Sequence, residues 1–265
     1  MTELPNALSN DLTGKVAIVT GGASGIGAAI AAAFAAAGAR TVIADIDETR
    51  GEAVARSLPG ASFRRLDVRQ ETAVEAVALG ALQDHGRLDI YVANAGAVGA
   101  TGSLLQLDYD DWRGTLSLLL DGVFFGVKHA GRTMQTQGGG AILTIASIAG
   151  LRGGVGPHAY SVAKAGVISL TSSAAAELAA SNIRVNCIAP GAVVTPLMTR
   201  GRGGEAGARA MSASTSLLGR PIFAEDVAAA ALHLCSEMSR NVTGQTLVID
   251  GGRLAASASG EPARY

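Results

Sequence analysis

Short runs of almost uniformly apolar residues alternate along this chain with longer alanine-rich stretches of helical character. Val16–Thr20, Thr41–Asp45 and Ser62–Asp67 read as strands, and Gly25–Ala37 and Glu48–Ser57 as the helices between them. Ile90–Ala93, Ala141–Ala146, Arg184–Ala189 and Thr246–Ile249 continue the strand series. Runs that are apolar throughout, rather than at every second position, suit strands covered on both faces, which points to a parallel sheet. The pattern predicts an α/β fold: a single Rossmann-type, doubly wound domain over residues 12–254, with about seven parallel strands. Residues 1–11 and 255–265 read as tails. Gly191–Pro221, with few large apolar residues, reads as a substrate loop with short helical pieces.

Composition narrows the partners. A chain of 265 residues, 48% hydrophobic, suits one large domain, and a formal charge of -1 with no run of Lys or Arg argues against nucleic acid or an anionic membrane. Cys187 and Cys235 each sit in an apolar stretch, so the reading is buried thiols in a reducing, cytoplasmic setting. The four histidines, His85, His129, His158 and His233, show no ligand spacing, and no metal is expected.

The strand Val16–Thr20 runs into Gly21-Gly22-Ala23-Ser24-Gly25-Ile26-Gly27 and then a helix. Glycines there allow a tight turn and close approach of a pyrophosphate, and the helix N-terminus offers N–H groups to it. Asp45 ends the second strand, 24 residues after Gly21, where a carboxylate accepts hydrogen bonds from an adenosine ribose and repels a 2′-phosphate. With no cation at Ser24 or Ile46, NAD is expected over NADP. Tyr160 and Lys164 stand four residues apart, on one face if the segment is helical. A free phenol ionises near pH ~10, so a phenolate near neutrality needs roughly 4 kcal/mol of preferential stabilisation, part of which a nearby ammonium supplies.

With these residues in view the chain resembles the short-chain dehydrogenase/reductase family from Leu12 to Gly252. The likeness rests on Thr20-Gly21-x-x-x-Gly25-Ile26-Gly27, Asn94-Ala95-Gly96, Ser147, Tyr160-x-x-x-Lys164, and Pro190-Gly191 with Thr195. The resemblance implies that Ser147 binds the substrate oxygen, Tyr160 acts as general base, and Lys164 binds the nicotinamide ribose and depresses the Tyr160 pKa. It places Asp67 and Val68 at the adenine, Asn94 as a brace for the sheet with Ala95 and Gly96 leaving room for the cofactor, and Thr195 at the nicotinamide carboxamide, with Pro190, Gly191 and Val193 alongside. Asn186 is read as structural. Many members carry an asparagine that holds a water of the proton relay; here Leu119 occupies that position.

Gly126-Val127-Lys128-His129-Ala130 and Gly156-Pro157-His158-Ala159-Tyr160 resemble a subgroup that oxidises secondary alcohols of terpenoid, lignan or other cyclic compounds. The expected pocket walls are Leu151, Val155, Val193, Val194, Leu197, Met198 and Leu218, with Arg152 the candidate counter-ion for a charged substrate. Helices around Leu104–Met134 and Ala159–Ala180 are apolar over wide arcs; the resemblance implies that such helices pair between subunits, so a homotetramer is expected, with a dimer as the alternative. The function expected is NAD-dependent oxidation of a hydrophobic cyclic secondary alcohol. A ketone or steroid reductase, a diol dehydrogenase and a non-catalytic NAD-binding sensor are the alternatives.

Overall fold

The computed structural model describes residues 9–200 and 203–255. Seven strands form one parallel sheet in the order β3-β2-β1-β4-β5-β6-β9: β1 (Val16–Thr20), β2 (Arg40–Asp45), β3 (Ser62–Arg65), β4 (Ile90–Ala93), β5 (Gly140–Ile145), β6 (Ile183–Pro190) and β9 (Thr246–Ile249). A two-stranded parallel ribbon, β7 (Val193–Val194) with β8 (Ile222–Phe223), lies beyond the β6 end. The strand order reverses between β1 and β4, and the crevice above the carboxyl ends at such a reversal is where open α/β sheets bind ligands.

Helices cover both faces: α1 (Gly25–Ala36), α2 (Glu48–Ser57), α3 (Glu71–His85), α4 (Tyr109–Leu116), α5 (Gly122–Thr136), α6 (His158–Leu178), α7 (Pro196–Thr199), α8 (Gly204–Ser214) and α9 (Ala224–Cys235). Two buried clusters result, one for each face. Ile18, Tyr91, Val123 and Val185 belong to one; Val19, Phe34, Leu143 and Val227 belong to the other. Neighbouring residues of a strand thus feed opposite cores, which explains the unbroken apolar runs.

The expected strand Ser62–Asp67 ends two residues early, at Arg65. The Leu66 N–H still reaches the Asp45 carbonyl at 2.9 Å, but the Asp67 carboxylate accepts the Arg69 N–H at 3.0 Å and turns the chain away from the sheet. The apolar stretch Leu104–Met134 is not continuous helix: a short turn at Leu104–Gln106 precedes α4, and a π turn over Ser117–Asp121 separates α4 from α5. Gly191–Pro221 holds β7, α7 and α8, short pieces as expected, although the ribbon with β8 is additional. The tail readings fall mainly on residues 1–8 and 256–265, outside the described residues.

Candidate active site

The glycine turn is shaped by its contact with β4. Gly21 has φ +65°, and a Cβ there would stand 2.8 Å from the Ala95 Cα. Behind it, a Cβ on Gly27 would fall 2.2 Å from the Gly21 carbonyl oxygen and 2.6 Å from Asn94 Nδ2. Asn94 ties the two segments together, since its Nδ2 donates to the carbonyls of Thr20 (2.9 Å) and Gly21 (3.2 Å). The N–H groups of Asn94 and Ala95 both donate to Thr20 Oγ1. Ser24 caps α1 in extended conformation without a side-chain hydrogen bond, so the first-turn N–H groups of α1 remain open to an anion at the cleft.

Asp45 stands beside this turn at the end of β2. Its Oδ2 accepts the Ala23 N–H at 3.0 Å and its Oδ1 the Asp47 N–H at 3.0 Å, which fixes the carboxylate against the glycine turn. Further along, the Arg69 guanidinium grips Asp67 through both oxygens, at 2.9 Å from Nε and 2.7 Å from Nη2, and this hydrogen bonding holds the Asp67 carboxyl below its ordinary range.

The other half of the site is built on β5 and α6. Ser147 follows β5 in extended backbone, and its hydroxyl accepts the Ala149 N–H at 3.2 Å. The turn it opens packs tightly on α6, for a Cβ on Gly150 would lie 2.6 Å from the Lys164 carbonyl carbon. Tyr160 lies in the first turn of α6 and Lys164 one turn later, on the same face. Burial pushes the Tyr160 phenol pKa up, and its hydrogen bond with the Ser147 hydroxyl acts in the opposite direction. Lys164 is only 4% exposed; its Nζ donates to the Ile145 carbonyl at 2.7 Å and sits 5.7 Å from the centre of the Tyr160 ring. Burial lowers the Lys164 pKa to about 8. The sequence-based expectation of a Tyr160 pKa depressed by Lys164 is therefore not met in the protein alone, because desolvation of the phenol dominates.

The two halves of the site border one cavity of about 700 Å³. Of the expected site residues, Ser24, Gly25, Ile26, Val68, Gly96, Pro190, Gly191, Val193 and Thr195 line it together with Gly21, Asp45, Asp67, Asn94, Ala95, Ser147, Tyr160 and Lys164, while Gly27 lies behind Gly21. Thr195 reaches across to the glycine turn: a Cβ on Gly25 would be 3.5 Å from the Thr195 Cβ. Among the expected pocket walls, Val155, Val193, Leu197 and Met198 border the cavity, whereas Leu151, Val194 and Leu218 do not. Val194 follows Val193 on a strand and so faces the other way. Arg152 and His158 are exposed and off the lining. Leu119 is fully buried in the π turn and borders the cavity, placing hydrocarbon where a relay asparagine would offer an amide. The sequence reading missed Val98, Leu118, Met211 and Arg253. The Asp250-Gly251-Gly252 turn signal preceding Arg253 was visible, but it does not disclose that the turn folds back over β6.

Could these residues hold a nicotinamide dinucleotide? The uncapped helix N-terminus, a turn crowded enough to exclude a side chain and an anchored carboxylate at the end of β2 together fit one. Comparison with known proteins agrees. Residues 21–253 match a family model described as Enoyl-(Acyl carrier protein) reductase. The chain is 44% identical to cis-4-hydroxycyclohexanecarboxylate dehydrogenase of Sinomonas cyclohexanicum, over 91% of this chain and 97% of the relative. It is 40% identical to a mitochondrial borneol dehydrogenase of Lavandula x intermedia, over 91% of each. A solved structure described as a putative short-chain dehydrogenase/reductase from Burkholderia xenovorans superposes with a TM-score of 0.86 at 35% identity, covering 93% of this chain and 98% of that one. The fold and site are those of an oxidoreductase that acts on CH–OH groups and binds a nicotinamide cofactor. The chain belongs to the short-chain dehydrogenase/reductase family.

Proposed function

We propose that the protein oxidises a hydrophobic, cyclic secondary alcohol to its ketone with NAD, reversibly, and that Tyr160 is the general base. The observation that carries this reading is the convergence of Ser147, Tyr160 and Lys164 on one largely apolar stretch of the cavity wall. The names of two relatives, a borneol dehydrogenase and a hydroxycyclohexanecarboxylate dehydrogenase, support the ring and the secondary hydroxyl.

In this reading the Ser147 hydroxyl donates to the substrate oxygen and holds it beside the Tyr160 oxygen. Tyr160, as phenolate, takes the hydroxyl proton while the carbinol C–H leaves as hydride, giving the ketone. When bound, the nicotinamide ring supplies the hydride acceptor. The α1 N-terminus and Gly21–Ile26 turn would hold the pyrophosphate, Asp45 the adenosine ribose, Asp67 and Val68 the adenine, Lys164 the nicotinamide ribose and Thr195 the carboxamide. The Lys164 charge, close to the Tyr160 ring in a dry site, favours the phenolate whenever both are in their charged forms.

NAD rather than NADP is supported by Asp45, an anchored carboxylate at the end of β2 that would repel a 2′-phosphate, and by Arg69, whose guanidinium is committed to Asp67. Assembly as a homotetramer is supported by apolar side chains left outside on three helices: Tyr109 on α4 is 71% exposed, Phe124 on α5 45% and Val162 on α6 49%. A reducing, cytoplasmic setting is supported by Cys187 and Cys235, both buried free thiols, and no helix among the described residues is long and apolar enough to cross a membrane. Initial rates with a panel of cyclic alcohols, run with NAD and with NADP, test the reading. Reduction of NAD with at least one of them is expected, and binding of NAD without turnover of any alcohol or ketone would contradict it.

A further inference from the structure

Among the described residues two arginines border the cavity, Arg69 and Arg253, and they are in opposite situations. Arg69 is held by both oxygens of Asp67. The guanidinium of Arg253 makes no hydrogen bond or ion pair among the described residues, although the residue is half-buried. An arginine is charged at every working pH, so a cation with no counter-charge among the described residues borders a cavity whose walls also include Leu197, Met198 and Met211.

The turn that carries Arg253 is rigid. The Asp250 carboxylate accepts the Gly252 N–H through Oδ1 and the Leu254 N–H through Oδ2, each at 2.8 Å, and the Arg253 N–H donates to the Asp250 carbonyl at 3.3 Å. Gly191 backs the turn so closely that a Cβ there would stand 2.9 Å from the Asp250 Cα. A fixed base and an unpaired planar fork are the features that bidentate carboxylate recognition needs.

Along the sheet, the strand that leads to Arg253 is well separated from the strand that leads to the glycine turn. Arg253 follows β9, the last strand of the sheet, whose Ile249 pairs with Pro190. The glycine turn follows β1, four strand spacings away, or roughly 19 Å, and Asp45 follows β2, roughly 24 Å away. Arg253 thus borders the cavity from the β9 side of the sheet, whereas Asp45 borders it from the β2 side.

We infer that Arg253 determines substrate specificity: it binds a carboxylate carried by the cyclic alcohol at a position away from the reacting carbinol. The inference rests on the dehydrogenase reading of the site and deepens it.

The test compares a hydroxycyclohexane carboxylate with its methyl ester as substrates of the full-length protein and of Arg253→Gln, alongside calorimetric binding of unreactive cyclohexanecarboxylate and of NADH to both. Expected is a KM for the carboxylate at least about tenfold below that for the ester. In Arg253→Gln that preference should vanish and cyclohexanecarboxylate binding should fall by a similar factor, with partial recovery in Arg253→Lys and no loss of NADH affinity. Equal KM values for acid and ester in the unmodified protein, or unchanged carboxylate binding in Arg253→Gln, would overturn the inference. Weakened NADH binding would overturn it too, by assigning Arg253 to the cofactor. If the unmodified protein oxidises neither alcohol, the dehydrogenase reading fails, and the binding of cyclohexanecarboxylate alone then decides the role of Arg253.

Discussion

Lys164 Nζ donates a 2.7 Å hydrogen bond to the Ile145 carbonyl and stands 5.7 Å from the centre of the Tyr160 ring. The ammonium is therefore anchored to the end of β5, one helical turn from the Tyr160 phenol, and almost wholly removed from water. Burial gives it an unbalanced energetic cost, since a carbonyl dipole replaces only part of its hydration.

That cost should be visible as pH-dependent stability. The folded pKa of about 8 lies below the ordinary 10.5, so between these values the unfolded chain binds more protons than the folded one. The Lys164 contribution to the stability of the cofactor-free protein should accordingly rise as the pH climbs from 8 toward 10, by up to about 3 kcal/mol, while the thiols of Cys187 and Cys235, pushed up by burial, contribute in the opposite direction above pH ~9. Tyr91, pushed up by complete burial, works the other way above pH ~10, where the unfolded phenol ionises first. Denaturant titrations of the protein and of Lys164→Met at pH 7 and pH 9.5 isolate the Lys164 part: the variant should be the more stable at pH 7, and that advantage should shrink by pH 9.5.

With Tyr160 as the proposed general base, the pH dependence of alcohol oxidation should report its ionisation. Burial raises its pKa and Ser147 opposes that rise, so oxidation should accelerate toward alkaline pH. Ser147→Ala should move the ascending limb of kcat/KM to higher pH and lower the plateau by roughly 10- to 100-fold through loss of a hydrogen bond to the substrate oxygen. An unmoved limb would show that the Ser147 hydroxyl does not act on the phenol.

Cofactor choice should follow the charge of Asp45. Asp45→Asn keeps the side-chain size and removes the repulsion, and the ratio of kcat/KM for NAD over NADP should fall by roughly tenfold or more. Because Oδ2 also accepts the Ala23 N–H, circular dichroism should accompany the kinetics to show that the turn persists.

Gly27 tests the cradle itself. A methyl group there has no space against the Gly21 carbonyl and Asn94, so Gly27→Ala should cost about 1–3 kcal/mol of stability and weaken NADH binding, whereas Gly60→Ala, where a Cβ meets nothing within 4 Å, should leave NADH binding intact. Fluorescence titration with NADH distinguishes them.

The strands and the glycine turn were legible because their signals are local. Val16–Thr20 is apolar up to its last residue since both of its faces are buried, and Gly21 and Gly27 are required by backbone contacts that any sequence with this turn must satisfy. Asp67 was placed on a strand that ends before it, because the capping of Arg69 by its carboxylate competes with the ladder and leaves no periodic trace. The π turn around Leu119 was invisible for the same reason: one extra residue per turn changes no hydrophobic pattern over five positions. Arg253 was missed because its place depends on β9 pairing with β6, a contact between segments almost sixty residues apart, and on the fold of the turn that follows. The tyrosine and lysine spacing was plain, but the expected effect of one on the other was not, since burial of the phenol is a property of the assembled site.

The central claim is that Tyr160 exchanges the alcohol proton. The most direct measurement is the single-turnover rate of NADH formation from a cyclic secondary alcohol by Tyr160→Phe, in a variant whose NADH affinity is measured to be intact. Loss of the phenol oxygen should slow that step by about 10²- to 10⁴-fold. An unchanged rate would contradict the account.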